Sequence, residues 1–134
     1  MPSFSKQSAD RLATCDHRLQ MIFNEVIQHI DCTIIEGHRS QASQDKYFAE
    51  GKSKLKWPNG EHNKTPSGAV DVAPYPIDWS NKPKALARFY FFAGYVKSVA
   101  DSMGFKIRWG GDWDGDMDFT DQNFDDLPHF EIRD

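Results

Sequence analysis

Two short stretches, far apart in the 134-residue chain, carry side chains that could hold a catalytic metal ion. His62 and Asp71 lie in the stretch H-N-K-T-P-S-G-A-V-D, and Asp126 and His129 lie in D-L-P-H near the C-terminal end. Two imidazoles and one carboxylate can bind zinc and leave a fourth position open for water. A further carboxylate beside that position can take a proton from the water and pass it to a leaving amine. The pattern predicts a hydrolytic zinc site with His62, Asp71 and His129 as ligands and Asp126 as general base.

Each of these residues also has a simpler explanation. Asp71 is the one charged residue of the apolar run 69–73, where an unpaired charge would be costly to bury. A metal ion would remove that cost, and so would a salt bridge to a Lys or Arg. His129, considered by itself, has the same two explanations. His17 and His29 lie on or beside a predicted helix and receive no functional role.

The periodicity of apolar residues predicts the elements that position these side chains. Ser8 and Ser40 are predicted to cap the first two helices. The predicted helices cover residues 9–30, 40–49 and 83–103, and the predicted strands cover residues 32–35, 69–73, 105–109 and 129–133. Residues 51–68 are predicted to form a long loop that delivers His62. This order of elements favours an α+β fold with a small antiparallel sheet and flanking helices.

Composition narrows the classes of partner and location. The net charge is -4, the pI is about 5.7 and the 16 Lys and Arg residues are scattered, so we do not expect a nucleic-acid partner. No apolar stretch approaches the ~20 residues of a membrane span, and the N-terminus lacks the apolar run of a signal peptide. Cys15 and Cys32 occupy apolar positions of regular patterns, which favours reduced, buried thiols over a disulfide. We expect residues 1–134 to form one domain.

The loop from Asp112 to Asp121 is rich in acidic residues, with Asp at 112, 114, 116, 118 and 121. This density of carboxylates could bind Ca²⁺, although the loop lacks the Gly and Glu of an EF-hand pattern. The alternative is an acidic loop exposed to solvent.

The two motifs together resemble those of the zinc D-alanyl-D-alanine carboxypeptidases and L-alanyl-D-glutamate peptidases, a family that includes small phage endolysins. Its first motif is similar to S-x-H-x-x-G-x-A-x-D, which His62, Ala69 and Asp71 match; its second is a carboxylate, two residues and a His, which Asp126 and His129 match. The resemblance implies a fold shared with the hedgehog signalling domain, zinc held by His62, Asp71 and His129, and Asp126 as catalytic base.

Further residues extend the resemblance, and two positions depart from it. Arg39, in E-G-H-R-S, matches an arginine that the family places near the scissile carbonyl, which implies a role in stabilising negative charge. The run W-G-G-D-W at 109–113 is also similar to the phage members. The His-to-Asp spacing is nine residues here instead of the motif's seven, and Gly60 stands where the motif has serine. We expect the two extra residues to bulge outward around Pro66.

The roles of two neighbouring residues stay open. His38 could assist in the cleft or only pack, and Glu131 could orient His129 or be exposed.

The resemblance implies a monomeric phage endolysin that hydrolyses the peptidoglycan peptide stem, with the L-Ala to D-Glu bond as the expected target. It also implies accumulation in the host cytoplasm and release towards the periplasm and cell wall by a separate pore-forming protein. Two alternatives remain: a D-alanyl-D-alanine carboxypeptidase or dipeptidase, and a non-catalytic zinc-containing wall-binding or virion protein.

Overall fold

The computed structural model describes residues 2–118, 120 and 125–134. Within these residues, four α-helices and one short 3₁₀ segment surround a four-stranded sheet. The elements are α1 (Lys6–Leu12), α2 (His17–Val26), β1 (Cys32–Glu36), α3 (Gln41–Ala49), the 3₁₀ segment (Glu61–Asn63), β2 (Ala69–Pro74), α4 (Pro83–Ser102), β3 (Lys106–Gly110) and β4 (Asp126–Arg133). The strand order is β1-β2-β4-β3, and each neighbouring pair is antiparallel. The predicted α+β class is confirmed.

One face of the sheet is buried under helices α2 and α4. Phe130, from β4, contacts Phe23 of α2 and Phe92 of α4 edge-on, with ring centroids 5.5 and 6.1 Å apart. Because side chains alternate along a strand, Phe130 and Ile132 point into this core while His129 and Glu131 point to the opposite face. The sheet therefore separates the hydrophobic core from the face that carries the predicted site.

The predicted single helix over residues 9–30 is wrong, because the chain forms two helices instead. Ser5, not Ser8, caps α1, and the Ser8 hydroxyl is buried and accepts a hydrogen bond from the Ile34 amide. The Asp16 side chain accepts from the Arg18 amide and so starts α2. Between the helices, Cys15 forms an isolated parallel β-bridge with Ser67, made of backbone hydrogen bonds. This pairing connects the α1–α2 junction to the loop that leads into β2.

The other elements lie close to their predicted positions, with one shift that matters for function. Ser40 caps α3 and Pro83 opens α4, as predicted. β4 begins at Asp126 instead of residue 129, because the β3–β4 pairing continues past an irregularity to pair Gly110 with Asp126. Asp126 is thereby placed on a strand and not on a loop.

Both cysteines are free and buried, as predicted. Burial raises the pKa of each thiol, Cys15 and Cys32, to about 12. Among the described residues, no helix is both long enough and apolar enough to cross a membrane.

Candidate metal centre

Sheet register brings two of the three predicted ligands together. Asp71 of β2 lies directly opposite His129 of β4 in the antiparallel pairing. The third, His62, lies on the 3₁₀ segment, whose backbone is held by the hydrogen bond from the Arg39 amide to the His62 carbonyl at 2.8 Å. His62 and His129 are both buried. Two strands and one short helical turn thus deliver three side chains to a single point.

The three ligand atoms form a nearly equilateral triangle. His62 Nε2 lies 3.2 Å from Asp71 Oδ1 and 3.3 Å from His129 Nδ1, and His129 Nδ1 lies 3.3 Å from Asp71 Oδ1. Zinc binds nitrogen and oxygen ligands at about 2.0–2.1 Å in a tetrahedron, which separates neighbouring ligand atoms by roughly 3.3 Å. The donor types and their separations therefore fit a zinc ion with one position left for a non-protein ligand.

Hydrogen bonds on the far side of each imidazole fix which nitrogen faces the triangle. His62 Nδ1 lies 2.7 Å from the Gly37 carbonyl oxygen, which can only accept, so Nδ1 carries a proton and Nε2 is the nitrogen that the neutral imidazole can offer to a metal ion. His129 Nε2 lies 2.8 Å from Glu131 Oε1, and the same reasoning leaves Nδ1 as the ligating atom. Outer partners of this kind are the usual companions of metal-bound histidines.

The carboxylate of the triangle is ionised. Burial raises the pKa of Asp71, but the imidazoles of His62 and His129 outweigh burial and hold the pKa below its ordinary value. The second oxygen, Oδ2, lies 3.6 Å from Arg39 Nη2. Asp71 is therefore both a candidate ligand and part of an ion pair, so the two explanations left open by the sequence apply together.

The two extra residues of the first motif form a surface bulge, as expected. Lys64, Thr65 and Pro66 are exposed, whereas His62 and Ser67 on either side are buried. The Gly68 amide donates to the Glu61 carbonyl at 2.9 Å and closes the base of the bulge. The longer His-to-Asp spacing is thus absorbed outside the site.

Asp126 lies beside the triangle, on its solvent-facing side. Its Oδ2 is 3.9 Å from His129 Nδ1, and about a third of its side chain is exposed. Burial and the nearby Asp71 carboxylate raise the pKa of Asp126 above its ordinary value, although His129 opposes them. A carboxyl with a raised pKa, next to an open metal position, is suited to move a proton.

The close contact between β3 and β4 fixes the position of Asp126. Any Cβ at Gly110 would overlap the Asp126 carbonyl, so only glycine allows this approach. The Trp109 indole donates to the Leu127 carbonyl at 2.7 Å and holds the following residue. Trp109 and Gly110 of the W-G-G run therefore position the start of β4, a role that the sequence alone did not show.

Comparison with known proteins agrees with this geometry. Residues 2–133 match the sequence model of the family described as phage L-alanyl-D-glutamate peptidase. The chain belongs to this family. It is 32% identical over 124 residues to the L-alanyl-D-glutamate peptidase of Escherichia phage T5, covering 89% of this chain and 87% of that protein. The fold is similar to that of the Serratia marcescens L-Ala D-Glu endopeptidase ChiX, with a TM-score of 0.73 and 23% identity over 97% of this chain and 89% of that one. The resemblance seen in the sequence is confirmed, and the protein is a peptidase.

Arg39 of this peptidase lies next to the metal-binding triangle. Its Nε donates to Glu36 Oε1 at 2.7 Å and its Nη1 donates to Gln44 Oε1 at 3.1 Å. The guanidinium also lies over the Tyr47 ring, with its central carbon 4.3 Å from the ring centroid. These contacts hold a positive charge beside Asp71. The predicted role of Arg39 in stabilising substrate charge stays a prediction.

The triangle lies at the floor of a groove of about 980 Å³. One wall comes from α3 and the loop after it and includes Tyr47, Lys52, Lys54 and Leu55. The strand order places β3 across β2 and β4 from β1, so the facing wall is the one on the β3 side. It includes Arg108, Trp113, Asp114, Asp126 and Pro128, and Trp79 also lines the groove. The Trp113 ring lies 5.2 Å from the His129 ring, centroid to centroid. A groove open over the candidate metal position can admit an extended peptide.

Two buried polar residues of the site gave little signal in the sequence. Gln44 is only 1% exposed, yet a glutamine on a short polar helix ordinarily indicates a solvent-facing position. Glu131 is 2% exposed, and its Oε2 accepts from Arg108 at 2.9 Å. The structure thus favours the orienting role for Glu131 over exposure. His38 is exposed and is not among the described residues that line the groove.

The acidic loop gives no support for calcium. Carboxylate oxygens of Asp112, Asp114 and Asp116 lie within 4.8 Å of one another, but exposed acidic groups commonly do so without an ion. Several instead accept hydrogen bonds from amides of their own loop, as Asp116 does from the Asp118 amide at 2.8 Å. Asp121 lies outside the described residues. We do not retain the calcium prediction.

Proposed function

We propose that this protein is a zinc-dependent endopeptidase that hydrolyses the L-alanyl-D-glutamate bond of the peptidoglycan peptide stem and serves as a phage endolysin. The observation that carries the proposal is the triangle of His62, Asp71 and His129, whose 3.2–3.3 Å edges match zinc, with Asp126 on its open side. Membership of the phage L-alanyl-D-glutamate peptidase family supports the choice of the L-alanyl-D-glutamate bond as the one that is hydrolysed.

The protein groups divide the work of hydrolysis. A zinc ion bound at the triangle would supply Lewis acidity towards the scissile carbonyl and lower the pKa of water. Asp126 accepts the proton of the attacking water and then donates it to the amine of the departing D-Glu. Arg39 provides positive charge beside the reacting carbonyl, where negative charge develops in the transition state. Gly37 and Glu131 hold the two imidazoles in the required tautomers.

The biological setting is part of the same proposal. Residues 1–134 act as one catalytic domain, supported by a single core to which α1, α2, α4 and all four strands contribute. The enzyme works as a monomer on the host cell wall, after accumulating in the host cytoplasm and leaving it with the help of a separate pore-forming protein. The phage family to which the chain belongs supports this setting.

The test is digestion of purified peptidoglycan, with products identified by mass spectrometry and metal content measured on the same samples. Asp126→Ala should keep zinc and fold but lose activity by on the order of a hundredfold or more. His129→Ala should lose both metal and activity. Free D-Ala among the products would indicate a carboxypeptidase instead. Absence of any cleavage by the zinc-loaded protein would favour the non-catalytic alternative. Near-normal turnover of Asp126→Ala would show that the base is another group.

A further inference from the structure

Peptidoglycan chemistry gives the two halves of the proposed substrate different charges. D-Glu continues the stem through its side-chain carboxyl, so its α-carboxylate is free and lies on the carbon next to the scissile nitrogen. The other half, L-Ala and the lactyl sugar attached to it, carries no charge near the bond. A groove that distinguishes the two halves should therefore have positive charge on the D-Glu side only.

The two walls of the groove differ in charge in this way. Lys52 and Lys54 lie on the wall that follows α3, and both side chains are exposed to the groove. The facing wall carries Asp114 and continues into the acidic loop, which would repel a carboxylate. Arg108 also lies on this wall, but it is paired with the buried Glu131 at 2.9 Å. Trp113 gives this facing wall an aromatic surface, which suits the uncharged half. Charge thus distinguishes the two walls on either side of the metal-binding triangle.

Arg39, which lies next to the triangle, is less suited than Lys52 and Lys54 to bind the free α-carboxylate. Arg39 pairs with Glu36 and lies near Asp71, and only 11% of its side chain is exposed. These two carboxylates hold the guanidinium next to the triangle, where its proposed partner is the reacting carbonyl and not the α-carboxylate of D-Glu. Lys52 forms an ion pair with Glu50 at 3.3 Å, and both side chains are well exposed, so this pair is weak and can be exchanged for a ligand.

A buried glutamine holds the lysine-bearing wall against the metal centre. Gln44 Nε2 donates to the Leu55 carbonyl at 2.6 Å and to Ser53 Oγ at 3.0 Å. Its Oε1 accepts from Arg39 Nη1 at 3.1 Å and from Asn63 Nδ2 at 3.2 Å, next to His62. All four hydrogen-bonding positions of the amide are used. The segment between Lys52 and Leu55 is therefore fixed relative to the metal ligands.

We propose that Lys52 and Lys54 bind the free α-carboxylate of D-Glu and so set both the direction in which the stem lies in the groove and the preference for an unamidated D-Glu. The inference rests on the proposed function, because it assumes the L-Ala to D-Glu bond. Lys52 and Lys54 are specificity residues here and take no part in the proton transfers assigned to Asp126.

Two synthetic stem peptides test the proposal. They share the sequence from L-Ala through D-Glu to the next residue and differ only in whether D-Glu carries an α-carboxylate or an α-carboxamide. The proteins compared are the zinc-loaded wild type, the double variant Lys52→Met with Lys54→Met, and Lys84→Met. Lys84 is an exposed lysine on α4 that does not line the groove, so it is the matched control.

The wild type and Lys84→Met should cut the carboxylate peptide with the lower KM. The double variant should raise KM for that peptide by on the order of tenfold, with kcat, zinc content and KM for the carboxamide peptide little changed. Equal KM values for the two peptides in the wild type, or an unchanged preference in the double variant, would overturn the inference while leaving the proposed function intact. Failure of the wild type to cut either peptide between L-Ala and D-Glu would overturn the proposed function, and the inference with it.

Discussion

Replacement of Glu131 tests whether the hydrogen bonds behind the metal ligands matter as much as the ligands themselves. Glu131 is 2% exposed and accepts from His129 Nε2 at 2.8 Å through one oxygen and from Arg108 at 2.9 Å through the other. Loss of such an outer partner typically costs about 10–100-fold in metal affinity. At 1.36 kcal/mol for each factor of ten, this corresponds to roughly 1.4–2.7 kcal/mol of binding free energy.

Two variants separate the hydrogen bond from the charge. Glu131→Leu removes both, and it leaves the buried His129 N–H without an acceptor, which should also lower the free energy of unfolding by about 1–3 kcal/mol. Glu131→Gln can still accept from His129 and should lie between Leu and wild type in zinc affinity. Arg133→Gln is the control, since Arg133 contacts Glu131 at 3.5 Å from a half-exposed position.

Zinc affinity is measured by competition with a chromophoric chelator, and folding by urea denaturation followed by circular dichroism. The expected order of affinity is wild type and Arg133→Gln, then Glu131→Gln, then Glu131→Leu. If folded Glu131→Leu bound zinc within twofold of the wild type, the orienting role assigned to Glu131 would be refuted.

Three further outcomes are expected. Gly110→Ala should push β4 away from β3 and displace Asp126, because the new methyl would overlap the Asp126 carbonyl; peptidase activity should fall at least tenfold while zinc titration changes little. Cys15 and Cys32, with pKa values raised to about 12 by burial, should stay un-ionised at pH 8 and react with Ellman's reagent only after denaturation; rapid reaction of the native protein would contradict their burial. Insertion of Gly-Ser after Thr65 should leave zinc affinity within about twofold, because the exposed bulge is closed at its base by the Glu61–Gly68 hydrogen bond; a large loss would show that the bulge positions His62.

The sequence predicted the elements whose signals are local. The long apolar periodicity of α4, the β-branched run of β1 and the alternation in β4 each reflect one buried face, and their positions were nearly correct. The division between α1 and α2 was missed because apolar spacing continues across it. The division depends on the Cys15–Ser67 bridge and on Asp16 as a cap, and the bridge joins residues far apart in the chain.

The site shows the same contrast between local and distant information. Residue types and motif spacing predicted His62, Asp71, His129 and Asp126 as site residues, and the structure brings all four together, while their roles stay predictions. Gln44 was missed because its partners, including Leu55 and Asn63, approach only after the loop folds back. A polar side chain surrounded by polar neighbours in sequence gives no sign that it will be buried.

The geometry explains why the off-pattern spacing of the first motif does not disturb the site. Asp71 and His129 are aligned by the β2–β4 register, in which side chains alternate faces, so a shift of one residue there would turn Asp71 towards Phe130 and the core. His62 instead reaches the site through a loop, and its ring is held by the Gly37 carbonyl on the opposite side. Length can therefore vary in the exposed bulge from Lys64 to Pro66 without cost to the ligand triangle, whereas it cannot vary between Gly68 and Asp71. It follows that the strand register, and not the number of residues between His and Asp, is the constraint that the metal site imposes on this part of the chain.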